Sequence, residues 1–158
     1  MNNKKKVTQV EYDNKMKKFN ILKKQLSTIS RAKIDSAYSD PGNTWHDNFA
    51  YEQLDLQEDG LFNQLENLKS DIENCEIVIK GMVPVDNVDI YDKIKLIFTY
   101  EDGEQEQLIL TLGDANDENS ITLASPLGQS IYNQKYGTIV KYLVNNKPIQ
   151  VEILKKMN

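Results

Sequence analysis

Two stretches of the chain carry apolar residues at every third or fourth position. The first set consists of Tyr12, Met16, Phe19, Leu22, Leu26 and Ile29. The second set consists of Tyr51, Leu54, Leu61, Leu65, Leu68, Ile72, Cys75 and Ile79. This spacing is typical of amphipathic helices that bury one narrow apolar face. We therefore expect a first helix over residues 12–36 and a second helix that continues to Ile79.

A segment that favours a turn separates the two predicted helices. It contains Pro41, Gly42 and Asn43, which are strong helix breakers. Each helix is largely polar outside its apolar face, so neither is expected to be stable alone. The pattern therefore predicts an antiparallel helical hairpin, or coiled coil, with its tip near residues 38–46.

The charge distribution favours the same pairing. Residues 1–34 contain ten Lys or Arg against two acidic residues, whereas residues 35–76 contain eleven Asp or Glu against Lys69 alone. Segments of opposite charge attract each other when they lie side by side. The net charge of −5 does not by itself indicate a nucleic-acid partner. The basic helix could contact RNA or DNA, but a solvated face balanced by the acidic helix is the simpler interpretation.

After Ile79 the pattern changes to strict alternation, which is typical of strands. One strand is predicted around residues 93–100, with a return strand at 108–112 after an Asp-Gly turn at 101–104. A short strand at 121–123 leads to a short helix that Ser125 caps and that carries Pro126 in its first turn. Residues 138–144 and 149–154 form a closing hairpin.

These elements define an α+β fold of two domains. Residues 1–80 form the long helical hairpin, and residues 81–158 form a small antiparallel β domain with one short helix. Hydrophobic residues make up 39% of the 158 positions, which is lean for one thick core and suits an elongated part with a thin apolar seam.

The composition also excludes several classes of protein. No apolar run approaches the ~20 residues that span a bilayer, and the N-terminus lacks the apolar region of a signal peptide.

Cys75 is the sole cysteine, so we expect a cytoplasmic protein without an internal disulfide. Because Cys75 lies on the apolar face of the second predicted helix, we expect a core residue rather than a reactive thiol. The chain has no Gly-rich phosphate loop, Cys/His metal cluster or nucleophile triad spacing, so we expect neither a small-molecule substrate nor a membrane partner.

Three segments resemble the Gre (GreA/GreB) family of bacterial transcript-cleavage factors. Residues 47–51, Asp-Asn-Phe-Ala-Tyr, resemble the Glu-Asn-Ala-Glu-Tyr sequence at the hairpin tip of that family. Residues 121–128, Ile-Thr-Leu-Ala-Ser-Pro-Leu-Gly, resemble its signature segment, where a strand enters the short helix of the C-terminal domain. The closing hairpin at residues 136–154 is also similar, and the resemblance extends over about residues 12–155.

The resemblance implies a fold and a mechanism. The C-terminal domain, similar to the FKBP fold, would dock on bacterial RNA polymerase at the rim of its secondary channel through Ser125, Pro126, Leu127 and Gly128. The hairpin would enter the channel, where acidic tip residues help to hold a second Mg²⁺ and an attacking water in the polymerase active site. Backtracked RNA would then be cleaved. The protein would be an accessory factor, not an enzyme, with no cofactor of its own, and its basic helix would contact nascent RNA.

The tip residues carry this implied chemistry, because Mg²⁺ in proteins is often held by one or two carboxylates. Asp47 takes the place of the family's Glu and is the expected catalytic acid and metal ligand. Thr44 stands where the family has Asp, and Asp40 replaces that acid if the loop folds back toward Asp47. Two functions therefore remain open: a factor that stimulates cleavage, and a Gre-like regulator that modulates or inhibits the polymerase without cleavage. A structural adaptor whose hairpin binds another partner is a third alternative.

The remaining tip residues are expected contacts with the partner: Thr44, Trp45, His46 and Asn48. Trp45 either contacts protein or a nucleobase, or folds back over the helix ends. His46 is a candidate metal ligand or proton carrier, although a single His without His or Cys neighbours more often has a surface or capping role. Asp47 also suits a helix N-cap, a role compatible with metal binding.

Overall fold

The computed structural model describes residues 4–39, 48–113 and 117–157. It divides the chain into two compact units. We call them the helical unit, Asp13–Asn74, and the sheet unit, which combines Met1–Tyr12 with Cys75–Asn158. The sequence predicts one boundary between residues 80 and 81, whereas the sheet unit also includes Met1–Tyr12.

The helical unit contains two helices that run antiparallel. Helix α1 spans Gln9–Tyr38, with its first turn in the sheet unit, and helix α2 spans Phe49–Glu73. Lys15 near the start of α1 pairs with Asp71 near the end of α2 at 3.0 Å, and Lys33 near the end of α1 pairs with Asp55 near the start of α2. The basic helix therefore lies against the acidic helix, as predicted.

The predicted apolar face is also the least exposed face of each helix. Leu22 is the one buried residue of α1, and α2 has none. The other predicted positions up to Ile72 are half-buried. Two helices that share only a thin seam explain why the chain has a lean hydrophobic composition.

The second helix ends earlier than predicted, so its expected continuation to Ile79 is wrong. Strand β2, Cys75–Ile77, pairs in parallel with strand β1, Lys5–Val7. Cys75 is therefore a half-buried strand residue and not part of a helix seam. Val78 is buried in the core of the sheet unit, whereas Ile79 is 63% exposed. Ile77 is β-branched and favours a strand, and the pairing with β1 outweighed the helical spacing.

A five-stranded sheet forms the centre of the sheet unit. Its strands are β3 Lys93–Thr99, β4 Gln105–Leu112, β5 Ser120–Ile121, β6 Ile139–Val144 and β7 Lys147–Lys156. Their order is β5-β4-β3-β7-β6, and all neighbours are antiparallel except β4 and β5, which are parallel. Helix α3, Pro126–Ile131, lies in the chain between β5 and β6. The predicted strands, the two hairpins and the short helix are confirmed, and the expectation of an entirely antiparallel domain is wrong.

The turns follow the chemistry of their residues. Gly103 has a φ of +84° in the turn between β3 and β4, a conformation that favours glycine. Asn145 and Asn146, with φ of +50° and +65°, join β6 to β7 as a two-residue hairpin turn. Both turns lie where the sequence predicts them.

The core of the sheet unit lies on one face of the sheet. Ile94, Leu96 and Phe98 of β3 are buried on this face, as the alternation predicts. The other core residues are Val78, Val88, Ile90, Leu112, Leu123, Leu127, Ile131, Tyr132, Val151 and Ile153. Because Leu127 and Ile131 belong to α3, the short helix is packed into the core, which holds the segment before it in place.

Candidate functional site

Two regions carry the candidate functional residues: the hairpin tip and residues 125–128, which we call the SPLG segment. Of the tip residues, Asp40, Thr44, Trp45, His46 and Asp47 lie outside the described residues. Asn48 is described, and it is the N-cap of α2.

Asn48 connects the ends of the two helices. Its side-chain oxygen accepts a hydrogen bond from the Tyr51 backbone N–H at 3.1 Å, which caps α2. Its side-chain nitrogen donates to the Ser36 carbonyl at 3.0 Å, near the end of α1. One amide side chain therefore uses its donor and its acceptor to hold both helices where the tip segment begins and ends.

Lys33 forms a second connection between the helices, and the sequence pattern does not predict it. Its ammonium group donates to the carboxylates of Asp55 and Glu58, at 2.7 Å for Glu58 Oε2, and lies 5.3 Å from the centre of the Tyr51 ring. Ser30 also donates to Glu58. Hydrogen bonds to Asp55 and then Glu58 raise the pKa of Lys33. Hydrogen bonds from Lys33 and then Ser30 lower the pKa of Glu58, so both ions are held in their charged forms.

The SPLG segment has the predicted cap. The Ser125 hydroxyl accepts a hydrogen bond from the Gly128 N–H at 3.0 Å and donates to the Thr122 carbonyl at 2.8 Å. This confirms Ser125 as the N-cap of α3. Both hydrogen-bonding capacities of the hydroxyl serve the local turn, so a capping role explains this serine.

The four residues of the SPLG segment differ in exposure. Pro126 is exposed, whereas Leu127 and Gly128 are buried. A Cβ atom on Gly128 would lie 2.3 Å from the Thr122 oxygen and 2.8 Å from the Leu123 oxygen. Only glycine therefore lets the helix approach the preceding backbone this closely. Pro126 is the most exposed residue of the segment, and the buried Leu127 and Gly128 hold it in place.

The start of α1 contacts the chain just before this segment. Thr8 and Glu11 form a capping box: the Thr8 hydroxyl oxygen accepts from the Glu11 N–H, and the Thr8 N–H donates to Glu11 Oε2, both at 3.2 Å. The other carboxylate oxygen, Glu11 Oε1, accepts from the Leu123 N–H at 2.6 Å. The Thr-x-x-Glu spacing in the sequence could have shown the cap, but not the contact with Leu123.

A buried carboxylate, Asp92, lies elsewhere in the sheet unit. Its side chain is 2% exposed, and Oδ1 pairs with the Lys156 ammonium. Oδ2 accepts hydrogen bonds from the Tyr136 hydroxyl at 3.0 Å and the Asp89 N–H at 3.1 Å. Burial raises the pKa of Asp92, but Lys156, the Asp89 N–H and the Tyr136 hydroxyl together lower it below its usual value. The Asp92 carboxylate thus connects Lys156 at the end of β7 to the loop before β3.

Within residues 4–39, 48–113 and 117–157, no group of three or more His, Cys, Asp or Glu side chains is arranged to hold a metal ion. No helix there is long and apolar enough to cross a membrane.

Comparison with known families decides what this sheet unit is. Residues 83–156 match the family model described as the C-terminal region of the transcription elongation factor GreA/GreB. This segment belongs to the GreA/GreB family. The match includes the SPLG segment and all five strands of the large sheet, and it confirms the family that the sequence motifs indicated. GreA/GreB-family factors act with RNA polymerase.

Solved structures of GreA/GreB-family proteins are similar to the chain at low identity. The GreA factor homolog 1 (Gfh1) of Thermus thermophilus is 14% identical, with a TM-score of 0.45 and coverage of 98% of this chain and 99% of that one. A GreA/GreB factor from Nitrosomonas europaea is 18% identical, with a TM-score of 0.36 and coverage of 68% and 91%. A search of curated proteins found no match. The GreA/GreB assignment therefore rests on the family model.

Proposed function

We propose that this protein is a bacterial transcription elongation factor that binds RNA polymerase through its secondary channel and stimulates cleavage of backtracked RNA by the polymerase active site. The match of residues 83–156 to the GreA/GreB C-terminal region carries this proposal. A resemblance of the C-terminal domain, residues 81–158, to the FKBP fold is part of the same proposal.

The SPLG segment is the proposed docking site on the polymerase. Pro126 is exposed at the start of α3, on a backbone that the Ser125 cap and the close approach of Gly128 hold in one conformation. A preorganised segment loses little conformational freedom on binding, which favours affinity. This supports a rigid contact made by a few residues.

The hairpin tip is the proposed source of the catalytic acids. Asp47, with Asp40 as the second acid, would act within the polymerase active site, and Thr44, Trp45, His46 and Asn48 would contact it. The Mg²⁺ belongs to the polymerase, so the protein is an accessory factor with no cofactor of its own. Paired metal ions activate water and stabilise the leaving oxygen in such reactions. The contribution of this chain would be to supply carboxylate oxygens at a fixed position.

Two contacts support a hairpin able to present such a tip. Asn48 joins the two helix ends that flank residues 40–47, and Lys33 of α1 pairs with Asp55 and Glu58 of α2. The basic face of α1, which includes the exposed Lys17, Lys18, Lys23 and Lys24, would contact nascent RNA in the same proposal.

One feature of the sequence favours a second candidate function. Thr44 stands where the family's tip carries Asp, and Thr cannot provide a carboxylate. A displacement of ~1 Å at a catalytic group can cost about 100-fold in rate, so Asp40, at another position in the sequence than Thr44, is an imperfect replacement. The second candidate is therefore a GreA/GreB-like regulator that occupies the channel and modulates or inhibits the polymerase without cleavage.

Cleavage of RNA by a stalled, backtracked bacterial elongation complex in Mg²⁺ tests both functions. The reaction is compared with and without the protein, and with the Asp47→Ala and Asp40→Ala variants. We expect faster cleavage with the wild-type protein and loss of the effect in at least the Asp47 variant. Asp86→Ala, at an exposed acid in the sheet unit, is the matched control.

The alternative outcomes are distinct. Binding to the polymerase without faster cleavage, together with competition against a cleavage-active factor, would establish the channel-occupying regulator. No binding to RNA polymerase in a pull-down or a titration would contradict both candidates.

A further inference from the structure

The backbone of Leu123, two residues before the SPLG segment, is held by side chains from both sides. Its N–H donates to Glu11 Oε1 at 2.6 Å, and its carbonyl accepts from Gln129 Nε2 at 2.6 Å. Strand β5 ends at Ile121, so residue 123 lies beyond the paired part of the strand. Glu11, 112 residues earlier in the chain, and Gln129, six residues later, therefore satisfy the Leu123 backbone groups that a neighbouring strand would satisfy elsewhere in the sheet.

Both side chains are themselves fixed by a second set of contacts. The other oxygen of Glu11 accepts from the N–H of Thr8, which is fully buried. Gln129 Nε2 also donates to the Lys6 carbonyl at 2.7 Å, and Gln129 Oε1 accepts from the Lys6 N–H at 3.4 Å. Since each side chain bonds to two places at once, neither can move without breaking several hydrogen bonds.

A shift of Leu123 would be transmitted directly to the SPLG segment. Gly128 packs so closely on the Leu123 and Thr122 carbonyls that a Cβ would not fit between them. The Ser125 hydroxyl and backbone N–H are bonded to the Thr122 carbonyl as well. The conformation of residues 125–128 therefore depends on the position of residues 122 and 123.

We infer that Glu11 and Gln129 are positioning residues that hold the SPLG segment in the conformation that RNA polymerase binds. This inference rests on the proposed function, because it takes the SPLG segment as the docking site. The carboxylate of Glu11 makes a charge-assisted hydrogen bond, which is stronger than a neutral one. It links the residue that leads into the docking segment to the cap of α1.

The test uses the full-length protein with Glu11→Gln and Gln129→Leu. In Glu11→Gln, an amide NH₂ group replaces one carboxylate oxygen and must face the N–H of either Thr8 or Leu123. Because both groups are donors, one of the two hydrogen bonds is lost. Gln129→Leu keeps the approximate size of the side chain but removes all its hydrogen bonds. Glu101→Gln and Gln107→Leu, at exposed positions of the same unit, are the matched controls.

A fluorescence titration against bacterial RNA polymerase gives the dissociation constant. We expect about 10-fold weaker binding for each positioning variant, as for the loss of one strong hydrogen bond. The effect of each variant on RNA cleavage at saturating protein should be the same as that of the wild type. Both control variants should bind the polymerase like the wild type. Positioning variants that bind as tightly as the wild type would overturn the inference.

A double-mutant cycle with Pro126→Ala separates positioning from general destabilisation. If Glu11 acts through the docking segment, its substitution should weaken binding much less once Pro126 has been replaced. Full additivity of the two effects would contradict the positioning role.

Hydrogen exchange provides a readout that does not depend on the polymerase. We expect the Leu123 and Gly128 amides to exchange at least about 10-fold faster in Glu11→Gln than in Glu101→Gln. If the wild-type protein does not bind the polymerase, the proposed function fails. Faster exchange of the two amides in Glu11→Gln would still show that Glu11 stabilises the conformation of the SPLG segment. Unchanged exchange at both amides would overturn the inference whatever the binding result.

Discussion

The side-chain nitrogen of Asn48 donates a hydrogen bond to the backbone carbonyl of Ser36, 12 residues earlier in the chain, at 3.0 Å. The same side chain caps α2 through the Tyr51 N–H. One residue thus joins the ends of the two described helices, which flank residues 40–47 in the sequence.

Replacing Asn48 should separate these two roles. Asn48→Ala loses the cap and the contact with Ser36, and we expect it to reduce the free energy of unfolding by about 1–2 kcal/mol. Asn48→Asp keeps the capping oxygen but loses the donor, so it should retain much of the cap's contribution. Urea unfolding followed by circular dichroism measures both variants. Equal losses in the two variants would show that the cap contributes little.

Gly128→Ala is expected to destabilise the sheet unit by about 2–3 kcal/mol, because the new methyl group would meet backbone oxygens that cannot move aside easily. It should also weaken binding to RNA polymerase, since the SPLG segment would be displaced. Thermal unfolding and the polymerase titration measure the two effects.

Gly60→Ala is the matched control for that change. Gly60 lies inside α2, and a Cβ there meets nothing within 4 Å. Since alanine is favoured over glycine in a helix, we expect a gain of about 1 kcal/mol. A stabilised Gly128→Ala protein, or a Gly60→Ala protein that loses stability, would contradict the packing described for these two sites.

Asp92→Asn should reduce the free energy of unfolding at neutral pH by about 1–2 kcal/mol, because the buried carboxylate loses its charge-assisted contact with the half-exposed Lys156. The pKa of Asp92 is lowered in the folded protein, so the carboxylate stabilises the fold above its unfolded pKa, near the usual 3.8, and the contribution disappears as the pH falls through the folded pKa. The difference between wild type and variant should therefore shrink below pH ~4.

Denaturant unfolding at neutral and acidic pH checks this, with Asp86→Asn as the control at an exposed acid. Asp86→Asn should leave stability within about 0.5 kcal/mol of the wild type. A difference between wild type and Asp92→Asn that stays constant down to the lowest pH would show that the charge of Asp92 is not its source.

Thr44→Asp should increase RNA cleavage by backtracked polymerase, because it restores a carboxylate where the family's tip has one. We expect a gain of about 10-fold or more over the wild type if Asp40 is an imperfect substitute. Thr44→Ala should have no such effect, which separates the carboxylate from the mere loss of threonine. A wild-type protein already as active as Thr44→Asp would show that the second acid is supplied from elsewhere.

The local elements could be predicted because their signals lie within short stretches. The helix faces follow from apolar spacing, β3 from its alternation, and the α3 cap from Ser125 followed by proline. The predicted end of α2 was wrong because Cys75 and Ile79 also fit the helical spacing. Strand β2 forms because β1 lies beside it, and the register Lys5 with Cys75 joins residues 70 positions apart.

The candidate site was predictable in part for the same reason. The Ser125 cap is confirmed because its signal is local, whereas the tip acids that the resemblance implies lie outside the described residues and stay predictions. Lys33 was missed because its partners, Asp55 and Glu58, belong to the other helix and only the hairpin register brings them within reach.

The sequence by itself therefore determined the α+β class, the faces of the helices, most of the strands and the family. The tertiary structure alone decided which distant groups meet: Asn48 with Ser36, Glu11 with Leu123, and Asp92 with Lys156. The physical reason is that periodicity records whether a residue faces a core or solvent. A hydrogen bond between two elements depends on how those elements pack, which no short stretch of sequence specifies.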